Sequence, residues 1–127
     1  MHEFGEIGWM GVIAGTVVAF LVGWAWYHEK VFGTRWAQGS RVELGSAASM
    51  PVFAMGTQLV GLGVLSLVVG ITAQFEMLVT AILSILAVAV LVVSNGAFVK
   101  KSQAALAIDF FYIVVAGAVM IGAQGIF

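Results

Sequence analysis

The chain contains no cysteine, which excludes disulfides, thiolate metal sites and cysteine nucleophiles. Charge is scarce as well. Asp, Glu, Lys and Arg together make up 9% of the 127 residues, against about 25% in a soluble domain. The formal net charge is -1, so there is no broad basic surface for nucleic acid. Histidine occurs twice, as His2 and His28. The topology derived below puts the two on opposite sides of a membrane, where they cannot share one metal, and neither a metal nor a cofactor is expected. The single proline, Pro51, falls near the start of a predicted helix, where its missing N–H costs nothing.

What the chain has in abundance is apolar residues, at 62%. A chain of that composition cannot cover its surface with polar groups in water, so the bilayer is its solvent. Residues 8–27 carry no charge at all, long enough to cross a hydrocarbon core of about 30 Å. A cleavable secretion signal would begin with a basic region and have a shorter apolar core. Here Glu3 and Glu6 precede the run, with no Lys or Arg, and it reads as a retained transmembrane helix. Along it Gly11, Gly15, Ala19 and Gly23 recur every fourth residue, a smooth face on which another helix backbone can lie close. That face either packs within the bundle or joins protomers or a partner complex.

Three further spans fit, near 51–72, 77–93 and 104–127. The spacing predicts one all-α domain over 1–127, a polytopic membrane protein of four transmembrane helices. Residues 31–49 form the longest connection. In it Phe32 and Trp36 sit four apart, so its first half reads either as an interfacial helix with both rings on one face or as an irregular loop with two dipping aromatics. A turn is expected around Gln74 and Glu76, and another over 94–103, signalled by Asn95-Gly96. Lys30, Arg35, Arg41, Lys100 and Lys101 all fall in connections on one side. The positive-inside rule makes that side cytoplasmic and places both termini outside the cytoplasm.

The pattern Ala19-Phe20-x-x-Gly23-x-x-Trp26-Tyr27, then Val31-Phe32-Gly33-x-x-Trp36, resembles a bacterial membrane family called domain of unknown function 1761. The stretch Asn95-Gly96-Ala97-Phe98, with Lys100-Lys101 and Ile108-Asp109, is similar as well. The resemblance covers most of the chain. It implies a four-helix membrane protein and no particular activity.

The residues able to carry chemistry are few. Ser94 and Ser102 share a side with His28 and Asp109, but no nucleophile-elbow glycine pattern accompanies them, and a membrane enzyme is the reading with least support. Gln58, Asp109, Tyr112, Tyr27, His28 and Asn95 fall in the same half of their spans. Polar groups in hydrocarbon need partners, so these six are expected to face one another. They form either a vestibule open to the cytoplasm for a proton, ion or small ligand or an interhelical hydrogen-bond cluster, the second being favoured. Asp109 is expected to pair with the Tyr27–His28 end of the first span or with Gln58. The function expected is assembly in the bacterial inner membrane, as a homo-oligomer or an accessory subunit, with lipid and a membrane protein as partners. The rival is a small transporter or channel lined by Asp109 and Gln58.

Overall fold

The structure, a computed structural model, describes residues 7–40 and 52–127. His2, Glu3, Glu6, Arg41, Glu43 and Pro51 therefore lie outside the described residues. Helix α1 (Trp9–Trp26) is followed by a π turn (Glu29–Gly33) and a short helix α2 (Thr34–Ser40). Helices α3 (Val52–Gln74), α4 (Leu78–Phe98) and α5 (Gln103–Ile126) complete the chain. Four of them, α1, α3, α4 and α5, are long and apolar enough to cross a membrane, and the fold is an all-helical polytopic membrane domain.

Helix α5 is the centre. Its buried residues, Ala105, Ile108, Asp109, Tyr112, Ile113, Ala116, Gly117, Met120 and Ala123, repeat at three and four, so one stripe runs its whole length. Across its most apolar 18 residues 44% are buried, against 17–22% for the other three. Helix α1 lies along that stripe through Gly11, Gly15, Ala19 and Gly23, all of them buried. Its opposite face, with Met10, Ile13, Val17 and Leu21, is exposed and suits lipid. The small-residue face is thus spent within the protomer.

None of these glycines has a positive φ, so they serve space rather than backbone freedom. A Cβ on Gly11 would lie 2.8 Å from Gln124 Nε2, one on Gly15 2.9 Å from Ser66 Oγ, and one on Gly23 2.6 Å from Tyr112 Oη. Each gap admits a polar side chain that hydrogen-bonds the α1 backbone. Gln124 Nε2 donates to the Gly8 carbonyl at 3.2 Å, Ser66 Oγ to Val12 at 2.9 Å and Tyr112 Oη to Ala19 at 2.8 Å. Small residues let the backbones close, and the polar side chains fasten them.

The turn expected over 94–103 is formed, but at the far end of that stretch and not at Asn95-Gly96. Helix α4 continues through both residues to Phe98, and the third span is longer than 77–93. The glycine at 96 answers to packing: a Cβ there would meet Leu106 Cδ2 at 2.6 Å and Lys101 Cδ at 3.1 Å. In a bilayer, glycine within a helix is ordinary. The reversal comes at Lys100, whose φ of 62° lets Lys101 N–H bond the Gly96 carbonyl at 3.0 Å. Ser102 then caps α5 by accepting from Ala105 N–H at 3.1 Å.

A membrane-anchored polar network at the basic end

Lys30, Arg35, Lys100 and Lys101 mark one end of the bundle, and the site is built there. Because α5 starts at Gln103, Asp109 lies more than one turn inside it and only 6% of its surface is exposed. Both carboxylate oxygens are engaged. Tyr27, the residue that ends α1, donates its hydroxyl to Oδ1 at 2.5 Å. Lys101 reaches back from the α4–α5 turn and places Nζ 3.1 Å from Oδ2. A buried carboxylate is tolerable only when paired and hydrogen-bonded, and this one has both.

Aromatic rings wall the pair. Trp36 on α2 meets Tyr27 edge-on at 5.3 Å, and Lys101 Nζ stands 5.2 Å from the Trp36 ring centre, within cation–π range. Tyr112 packs edge-to-face on Tyr27 at 5.5 Å. Trp26 donates its indole N–H to the Ile108 carbonyl at 3.0 Å and lies tilted against Phe32 at 4.8 Å. Phe32 and Trp36 therefore both turn toward the end of α1, but on different rings. A π turn, not continuous α-helix, begins the segment that carries them.

Of the six expected cluster residues, the fold brings four together. Tyr27 holds Asp109, Tyr112 packs on Tyr27, and the Gln58 side chain interacts with the Tyr112 hydroxyl. His28 and Asn95 are elsewhere and exposed. His28 accepts from Lys30 N–H through Nδ1 at 3.1 Å, capping the π turn. Asn95 is carried outward by the unbroken α4. Asp109 thus pairs with the Tyr27–His28 end of the first span, through Tyr27 rather than His28, and not with Gln58.

Lys101, Trp36 and Trp26 are the network members that sequence reasoning did not assign to it. Lys101 read as a topology marker, and the one available signal was its long stem, which lets a charged head reach back along the helix end. At the far end Gln124 sits among Gly8, Gly11 and Gly70, beside a cavity of about 170 Å³ lined by Val69, Thr72, Glu76, Leu78 and Gln124. Among the described residues no three His, Asp or Glu side chains come together as a metal site would require. The basic-end network thus holds one ion pair, Asp109 with Lys101, and one hydroxyl, Tyr27, that donates to it.

No curated protein and no solved structure matches the chain. A family model does match, over residues 10–124, which takes in all but the outermost residues of the membrane-length helices and the whole network. The chain belongs to the family described as protein of unknown function, DUF1761.

Proposed function

We propose that the protein acts by assembly, as a homo-oligomer or as an accessory subunit of a larger membrane complex. One observation carries this reading. Residues 52–61 of α3 bury no side chain, and the helix begins to bury residues only at Leu62. Val52 and Phe53 are 78% and 85% exposed, and a Cβ on Gly56 or Gly61 would meet nothing within 4 Å. Glycines that close no contact inside the protomer suit a contact with another helix.

A chain without cysteine makes the test direct. Gly56→Cys and Gly61→Cys should each form intermolecular crosslinks in native membranes, to a second copy or to one partner, while Leu83→Cys on the exposed face of α4 should not. Equal and low crosslinking at all three positions would leave α3 facing lipid alone and sink the reading.

The rival, a small transporter or channel with a cytoplasm-facing vestibule, rests on Asp109 and Gln58. Asp109 already has both oxygens engaged, and between it and the far end the core is filled by Leu62, Val69, Ala116 and Met120. Assembly is the better-supported of the two.

The setting we propose is the bacterial inner membrane, basic end toward the cytoplasm and both termini outside it. The clustering of Lys and Arg in two connections supports this. In intact cells an impermeant maleimide should label Phe75→Cys, in the α3–α4 turn, and spare Gln38→Cys on α2. The opposite pattern would invert the orientation.

A further inference from the structure

We propose that α2 is a displaceable strap over the buried Asp109–Tyr27–Lys101 network, closed in this structure and able to swing away about the π turn. The inference is independent of whether the protein assembles with a partner.

The first observation is a pair of unsatisfied groups. Trp36 Nε1 and Ser40 Oγ are buried and have no hydrogen-bond partner among the described residues. Both are on α2, four residues apart, and so share one face of that helix. Buried polar groups are nearly always partnered, and an exception calls for an explanation. In the closed position each forfeits the hydrogen bonds it would make with water, and displacement of α2 restores them. The closed state therefore carries a built-in bias toward opening.

The second observation is how α2 is held. Its C-terminal turn is tied to α5 by the Ser102 N–H to Gly39 carbonyl bond, at 3.0 Å. Its middle is held by Trp36, which lies against Tyr27 and under the Lys101 ammonium. Lys101 is thus shared between the strap and Asp109 and works as the latch. At the other end the chain leaves α1 through a π turn, in which Gly33 N–H bonds the His28 carbonyl at 2.9 Å. A Cβ on Gly33 would run into the Tyr27 carbonyl oxygen, so the fold-back is as tight as glycine allows. Single π turns of this kind are frequent at functional positions in helices. Swinging α2 outward removes Trp36 from the network and opens Asp109 and Tyr27 to the aqueous side.

The test uses the reactivity of one buried cysteine in the purified protein in micelles. Ala37 on α2 is 6% exposed and Met120 in the core 0%, so Ala37→Cys reports the strap and Met120→Cys the bundle. Ala37→Cys should react slowly but measurably with maleimide, and Met120→Cys far more slowly. Adding Ser40→Ala removes an unpaired hydroxyl without breaking a bond, and should slow Ala37→Cys labelling about fivefold. Adding Lys101→Met releases the latch and should speed it by about fivefold or more, with Met120→Cys unchanged. Three outcomes overturn the proposal: no effect or faster labelling with Ser40→Ala, no effect with Lys101→Met, or Met120→Cys becoming reactive together with Ala37→Cys, which would report loosening of the whole bundle.

Discussion

Asp109→Ala should lower the stability of the protein in micelles by about 2–4 kcal/mol, read from heat or denaturant unfolding followed by tryptophan fluorescence. The loss has three sources. The Tyr27 hydroxyl is left without its acceptor at 2.5 Å, Lys101 without its carboxylate at 3.1 Å, and a small void opens on the central stripe of α5. The loss stays below the full cost of an isolated buried ion because the Lys101 side chain is 22% exposed and its ammonium can turn to water. Asp109→Asn retains an acceptor for Tyr27 and should lose roughly half as much. Tyr27→Phe should cost about 1–2 kcal/mol, and combining it with Asp109→Ala should cost clearly less than the two added together, because both act on one network. A neutral Asp109→Ala would mean that the pair contributes nothing net to the fold.

Gly15→Leu should be the most damaging single change in α1. A Cβ at that position already lies 2.9 Å from Ser66 Oγ and 3.3 Å from the Met120 Cα. The first neighbour can turn aside, but the second is backbone and cannot. The remaining leucine atoms must push α5 away and break the Ser66 bond to the Val12 carbonyl. About 3 kcal/mol of overpacking is expected, seen as loss of folded protein on detergent extraction. Gly61→Leu is the companion measurement, since nothing lies within 4 Å of its Cβ position. It should leave the melting temperature within a degree or two of the parent while weakening the crosslinks at Gly56→Cys. If Gly61→Leu unfolds the protein, the first half of α3 packs against this bundle after all.

How far the sequence could be read follows from which signals are local. Membrane-length helices were legible because hydrocarbon thickness converts directly into an uncharged run, and residues 8–27 meet it. The face of Gly11, Gly15, Ala19 and Gly23 was legible as a place of close approach, but not which helix would occupy it. That depends on where Ser66, Tyr112 and Gln124 arrive, and they come from two other helices. Asn95-Gly96 misled because the dipeptide marks turns in water, where freed backbone groups bond solvent. Inside a bilayer those groups stay paired along the helix, and the missing side chain at 96 makes room for Leu106. His28 read as a cluster member by its position at a helix end, yet its ring is used locally by Lys30 N–H. Lys101 was hidden for the opposite reason. It precedes its helix, and only the fold-back at Lys100 aims its stem at Asp109. Trp36 needed the π turn, which no periodicity announces.

The fastening of α1 has a consequence for how the chain is made. The groups that reach its backbone from α5, Tyr112 and Gln124, lie 93 and 116 positions downstream of the carbonyls they bond. A ribosome delivers residues in order, N-terminal first. Helix α1 thus enters the bilayer with its glycine groove empty; α3 then brings Ser66 to Gly15, and the ends at Gly11 and Gly23 wait until α5 is made. During that interval the groove is open to any other small-faced helix nearby. A stalled or truncated product ending before Gln103 would leave those two ends open. Synthesis through α5 is what closes the gap.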